Sequence, residues 1–194
     1  MRRWLHLSLA LAVLVILTGC QPERSSPTPP TSPQEAVDMD LQLSSNAFQY
    51  GGTIPIKHTC DGMDLSPPLA WTAPPRDTKS LVLICDDPDA PAGTWVHWVL
   101  YGLPPETTSL PEGIPPDKIV LGQARQGIND FRRIGYGGPC PPPGAPHRYF
   151  FKLYAVAIPT TFEPGLSKQQ LMDAIKGHIL AQGELMGKYK RQRP

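Results

Sequence analysis

The sequence has little charge imbalance: 18 Lys and Arg stand against 17 Asp and Glu, a net charge of +1 over 194 residues. Acids and bases are interspersed, so there is no basic stripe for nucleic acid and no acidic tail, and no nucleic-acid partner is expected. The chain also lacks a hydrophobic run of membrane-spanning length. Its most apolar stretch, Leu7 to Leu17, has eleven residues, against roughly 20 for a helical span. No Gly-x-Ser-x-Gly nucleophile elbow occurs, and no close-spaced ligand pair points to a metal site. Internal repeats and the length for a second large domain are missing too. Nothing implies a cofactor.

What the N-terminus does have is Arg2 and Arg3, the short apolar run, and then Leu17-Thr18-Gly19-Cys20. That order is an export signal, so residues 1–19 are expected to be removed. Small residues directly before a cysteine resemble the bacterial lipobox, which makes Cys20 the expected lipidated N-terminus. The alternative is an ordinary signal peptide with a chance cysteine. Acylation with several chains anchors a protein firmly, where one chain holds it only marginally. The mature protein is then expected at the cell envelope, outside the cytoplasm and tethered to a membrane. Residues 20–37 are rich in Pro, Ser and Thr, with Pro22, Pro27, Pro29, Pro30 and Pro33. They have too little apolar surface to fold and form a semi-extended linker. Residues 38–194 are one domain's worth of chain, long enough for a proper core.

Of four cysteines, Cys20 is the lipid candidate, and Cys85 ends the apolar run Leu81-Val82-Leu83-Ile84-Cys85, where a small buried thiol is the default. Cys60 and Cys140 lie in glycine- and proline-flanked loops of an exported chain, which permits a disulfide between them. The alternative is two free thiols whose α-carbons lie beyond bridging distance, roughly 7 Å.

The domain is expected to be mainly β. Short runs rich in β-branched or aromatic residues, bounded by Gly, Pro or Asp, occur at 53–58, 69–72, 80–85, 95–101 and 149–158. Pro55 demotes the first of these to an edge or a bulge. Leu81 to Cys85 is continuously apolar, as in a strand buried on both faces. Strands without alternating helices argue for an antiparallel sandwich. Ser167-Lys168-Gln169-Gln170 fits a capping box and opens a helix through Leu171, Met172, Ile175, His178 and Ile179, ending near Gln182 and Gly183. His178 is then a packed or capping histidine, and residues 184–189 are a final strand.

Three segments carry the chemistry: Asp87-Pro88-Asp89-Ala90-Pro91, Trp95-Val96-His97-Trp98, and Gly135-Tyr136-Gly137-Gly138-Pro139-Cys140-Pro141 with its continuation to His147-Arg148-Tyr149. Residues two apart on an extended chain share a face. Trp95 and His97 therefore pair on one face, Val96 and Trp98 on the other, and His147 pairs with Tyr149. A small anion needs imidazole N–H groups, a tyrosine hydroxyl and backbone N–H groups of a glycine turn. His97, His147, Tyr149 and Gly137-Gly138 supply that set, while Asp87 fixes which histidine nitrogen faces the ligand. Each piece also has a plain structural reading: Asp-Pro-Asp as a turn, the strand histidine as a half-buried polar contact, and the proline tract as a rigid loop or a polyproline docking segment.

In their joint order, these segments resemble the signatures of the phosphatidylethanolamine-binding protein family, in its bacterial Raf kinase inhibitor-like branch. The similarity runs from about Phe48 to the C-terminus and includes Cys60-Asp61-Gly62, Ser66-Pro67-Pro68-Leu69 and Gly127-Ile128-Asn129-Asp130-Phe131. It implies a β-sandwich with one or two short C-terminal helices. It also implies a small surface pocket lined by Asp87, Asp89, Pro91, His97, Pro141, His147 and Tyr149, with Trp95, Gly138 and Pro139 at the rim. The implied ligand is a small anionic or phosphate-bearing group, including phospholipid head groups, bound without catalysis. An alternative is an inhibitor or modulator of an exported protease or other partner protein. Arg132 stands where chains of the family this sequence resembles commonly have glycine. If the site needs φ > 0, arginine costs on the order of 1 kcal/mol and the turn is expected to be reshaped; an added cation would instead favour an anionic ligand.

Overall fold

A computed structural model describes residues 41–191. The expected signal peptide (1–19), the candidate lipid site Cys20 and the expected linker (20–37) lie outside the described residues. Two antiparallel sheets carry the architecture. The smaller joins β1 (Leu43–Ser44), β2 (Leu69–Trp71) and β5 (Ser109–Leu110) in that order. The larger has β6 (Ile119–Val120), β7 (Ala124–Gln126), β4 (Trp95–Leu103), β3 (Ser80–Asp87), β8 (His147–Val156) and β9 (Ile179–Tyr189) side by side, in that order. This is the mainly β, antiparallel sandwich expected from the sequence.

The core forms on both faces of the larger sheet. On one face Leu81, Leu83 and Cys85 pack with Trp98, Phe151, and Leu69 and Trp71 of the smaller sheet. On the other, Val82 and Ile84 pack with Val96, Val99 and the single helix α1 (Lys168–Ile175), through Leu171 and Ile175. Strand β3 is thus covered on both sides, which is why its apolar run does not alternate with polar residues.

The capping box at the start of α1 is formed: the Gln170 backbone N–H donates to the Ser167 hydroxyl at 3.3 Å, and the Ser167 backbone N–H donates to Gln170 Oε1 at 2.9 Å. The helix is shorter than the apolar spacing suggested. It stops at Ile175, Gly177 follows with φ +78°, and Ile179 already belongs to β9. Glycine just past the last turn is the stop signal, and pairing of β9 along β8 outcompetes further helix. His178 lies beyond that stop and is exposed, not packed. The expected strand at 53–58 is also reduced. Thr53 makes a parallel bridge to Lys188, and Ile56–His58 is a 3-10 turn, because Pro55 has no N–H to continue a ladder.

Cys60 and Cys140 are disulfide-bonded with α-carbons 5.4 Å apart, and Cys85 is a free buried thiol.

Candidate functional site

The site begins with an irregularity in strand pairing. Cys85 pairs with Trp98 but Asp86 pairs with Val96, so β4 carries one extra residue, His97, against β3. A bulge of this kind redirects side chains locally. It breaks the alternation assumed from sequence: Val96 packs on the helix face and Trp98 on the sandwich face, rather than sharing one. Trp95 and His97 still converge, with Phe131 edge-on to both at ring distances of 5.5 and 5.3 Å.

His97 is 2% exposed, and its Nδ1 donates to the Gly137 carbonyl at 2.6 Å while the Gly137 N–H donates to the His97 carbonyl at 2.9 Å. A carbonyl only accepts, so Nδ1 holds the proton in the neutral ring. Burial lowers the His97 pKa below that of an ordinary histidine, against the opposing pull of the Gly137 carbonyl and the Asp87 charge. At the start of β8, His147 Nδ1 donates to Asp87 Oδ2 at 2.8 Å, and Asp87 Oδ1 accepts the Asp89 backbone N–H at 2.8 Å. Each histidine therefore has its Nδ1 tied to a fixed acceptor. Nε2 is the nitrogen left to a ligand.

Between these groups lies a cavity of about 340 Å³. Six of the sequence-predicted residues line it: Asp87, Pro91, Trp95, His97, Pro141 and His147. The other four hold its walls from behind. Asp89 accepts Arg148 Nε at 2.9 Å, Nη2 at 2.6 Å and the Arg148 backbone N–H at 2.9 Å, clamping the Asp-Pro-Asp loop onto β8. Its hydrogen bonds to Arg148 hold its pKa down at about 2. Tyr149 is fully buried, its ring 5.1 Å from that of His97, and its hydroxyl has no hydrogen-bond partner among the described residues. Burial first, then the charge of Asp87, pushes the Tyr149 pKa far upward.

The glycine turn does not offer the backbone donors expected of it. The Gly137 N–H is spent on His97, and the Gly138 N–H donates to Asp64 Oδ1 at 2.6 Å. Pro139 accepts the Cys60 N–H at 3.1 Å, beside the disulfide. A Cβ on Gly138 would fall 2.5 Å from the His58 carbonyl, so only glycine fits between the wall and the loop behind it.

Sequence reasoning missed Ala90, Ala92, Phe131, Cys140 and Pro142 as lining residues. Phe131 had a signal. Its neighbour Asp130 accepts the Val96 N–H at 2.7 Å and donates its own backbone N–H to the Val96 carbonyl at 3.0 Å, tying the loop to β4. Arg132 has φ +62°, so the turn keeps the left-handed conformation and is not reshaped. Among the described residues no group of three or more His, Cys, Asp or Glu is placed to hold a metal. No helix there is long and apolar enough to cross a membrane.

A two-sheet antiparallel β-sandwich thus carries a cavity that gathers two histidines and an aspartate among apolar walls. The family model for phosphatidylethanolamine-binding protein matches residues 44–190, and the chain belongs to that family. It is 47% identical over 151 residues to a UPF0098 protein of Methanothermobacter thermautotrophicus, covering 78% of this chain and 99% of the relative. A UPF0098 protein of Aquifex aeolicus is 48% identical over 153 residues, covering 78% of this chain and 89% of the relative. Among solved structures, a putative phosphatidylethanolamine-binding protein homologue of Chlamydia trachomatis superposes with a TM-score of 0.73 at 44% identity, covering 80% of this chain and 100% of that one. Escherichia coli YbcL, described as a member of the mammalian family, gives 0.72 at 33% identity, covering 78% and 99%.

Proposed function

We propose that the cavity binds the phosphate group of a small ligand or phospholipid head group, without catalysis, in a protein lipid-anchored at the cell envelope. The observation that carries this reading is the pair of histidines at one cavity, each with Nδ1 tied down and Nε2 left over. Two fixed imidazoles at one corner suit several oxygens on one tetrahedral centre. The remaining walls, Pro91, Trp95, Phe131 and Pro141, suit the less polar part of the ligand. Membership of a family described by phosphatidylethanolamine binding supports the same chemistry.

Calorimetric titration with phosphoethanolamine tests this. The wild-type domain should bind saturably, and His147→Ala should weaken binding at least about tenfold, as expected for loss of a charge-assisted contact of roughly 1.5–3 kcal/mol. Undetectable binding by both proteins contradicts the reading. The anchor is tested separately by mass spectrometry of the membrane-extracted protein: an acylated Cys20 at the N-terminus is expected, and any other N-terminus contradicts it.

A further inference from the structure

We propose that the Cys60–Cys140 disulfide is a reversible redox site that sets the ligand affinity of the cavity: a dithiol opens it, one wall comes loose, and the ligand is held less tightly. This rests on the phosphate-binding reading above and adds how that site is regulated.

The wall in question runs from Cys140 to Pro146, and its first three residues line the cavity. Pro141, Pro142, Pro143 and Pro146 have no N–H to give. No residue of the segment makes a hydrogen bond to another described residue. Residues 142–146 are exposed, and a Cβ built on Gly144 would meet no atom within 4 Å. Hydrogen bonding resumes only on either side: Pro139 accepts the Cys60 N–H at 3.1 Å, and His147 Nδ1 donates to Asp87. Apart from the packing of buried Pro141, the sulfur of Cys140 is the segment's one tie to the rest of the described residues. The partner loop is fastened differently. The Tyr136 hydroxyl donates to the His58 carbonyl at 2.8 Å, and Asp64 accepts the Gly138 N–H at 2.6 Å. The N–H groups of Gly62 and Asp64 both donate to the Thr59 carbonyl, at 3.0 and 3.3 Å. Opening the cross-link therefore leaves the Cys60 side in place and releases the Cys140 side, which is the cavity wall.

Both cysteines are half-buried, so a thiolate from solution can reach the pair. Cys85, the free thiol among the described residues, is fully buried and takes no part in the exchange. The reductant is an external dithiol. One of its thiolates attacks a sulfur of the pair to give a mixed disulfide, and its second thiolate closes the dithiol's own disulfide and releases the protein. One S–S bond breaks in the protein and one forms in the dithiol, while two electrons and two protons pass to Cys60 and Cys140. Wall and ligand are coupled in both directions. A wall ordered in advance adds no cost to binding, whereas a loose one must be ordered when the ligand arrives. By linkage, the factor that separates the affinities of the two forms is also the factor by which bound ligand favours the disulfide over the dithiol.

The test titrates phosphoethanolamine calorimetrically into the oxidised wild-type protein and into the same protein held reduced by excess dithiothreitol. The reduced form should bind at least about threefold more weakly. In a second measurement the protein is equilibrated in mixed reduced and oxidised dithiothreitol, with and without saturating phosphoethanolamine. It is then alkylated and its thiols are assigned by peptide mapping. Ligand should raise the ratio of disulfide to dithiol by the factor found in the titrations. Cys85 should stay unlabelled throughout, which shows that the fold survives reduction. Equal affinity of the two forms overturns the redox control and leaves the anion pocket standing. Labelling of Cys85 on reduction also overturns it, because the cross-link would then hold the whole fold and not one wall. A disulfide that excess dithiothreitol leaves closed does the same. Undetectable binding by the oxidised protein overturns both the redox control and the pocket.

Discussion

Asp86 and Asp87 are adjacent on one strand, 1% and 3% exposed, and serve different ends. Successive strand residues face opposite sides of a sheet. Asp86 falls on the helix side, where Lys152 Nζ donates to it at 3.0 Å and Lys168 of α1 forms a second ion pair. Asp87 falls on the cavity side, holding a backbone N–H and His147. Lysine is a point charge that fastens β8 and α1 to β3, and the interaction stops there. Histidine has a second nitrogen, so what Asp87 fixes at Nδ1 is felt at Nε2. The role of a buried carboxylate here follows from whether its partner has anything left to offer a third group.

The cavity side can be broken hardest through its disulfide. A Cys60→Ser, Cys140→Ser double variant opens a cross-link spanning 80 residues, and should lower unfolding free energy by about 4 kcal/mol in urea titration. Because Cys140 lines the cavity, phosphoethanolamine affinity should also fall at least about threefold, roughly 0.65 kcal/mol. Intact affinity would mean the wall stands without its staple. Asp86→Ala comes next. It leaves two lysines unmatched, each 30% exposed in its side chain and able to turn to water. The loss should be about 2–3 kcal/mol, below the 3–5 typical of fully buried pairs, with affinity unchanged within about threefold.

Asp87→Asn should show the reverse pattern. Phosphoethanolamine affinity should drop about tenfold, 1.4 kcal/mol, because a neutral amide holds His147 Nδ1 more weakly than the carboxylate does and the ring is no longer fixed toward the ligand. The urea midpoint should move by less than about 1 kcal/mol equivalent, since the shape is kept. Matching stability losses in Asp86→Ala and Asp87→Asn would erase the distinction between the two faces.

The smallest effect is the acid response of the wild type. Burial lowers the pKa values of His58 and His97 in the folded state. The unfolded chain then takes up protons first as pH falls below about 6.5. Stability from these two groups is complete above that pH and declines as pH drops toward their folded values. Asp89, held at about 2 by Arg148, adds a contribution present above about pH 4 and lost between 4 and 2. Stability that is flat from pH 7.5 to 5 would contradict neutral burial of the histidines.

Much of this was legible because it was local. The unbroken apolar run Leu81 to Cys85 announced a strand covered on both faces, and Ser167 with Gln170 announced a helix start. The three site segments meet at one cavity, and six of ten residues line it. What was hidden depends on partners distant in sequence. The bulge at His97 is a register relation between β3 and β4, invisible in β4 alone. Asp89 looked like a pocket acid because nothing local says that Arg148 claims both its oxygens. The Gly137-Gly138 donors looked available because Asp64, 74 residues from Gly138, could not be placed beside it. Gly177 is a local stop signal that overrides the apolar spacing running on to Ile179.

The most direct test of the phosphate site follows the imidazole nitrogens themselves. Phosphoethanolamine is titrated into the 15N-labelled domain while the His97 and His147 Nε2 resonances are followed by NMR. The account predicts that both resonances move along one saturable curve, with Nδ1 of each ring staying protonated. Saturable binding that leaves both Nε2 resonances unmoved would place the ligand elsewhere and contradict the site.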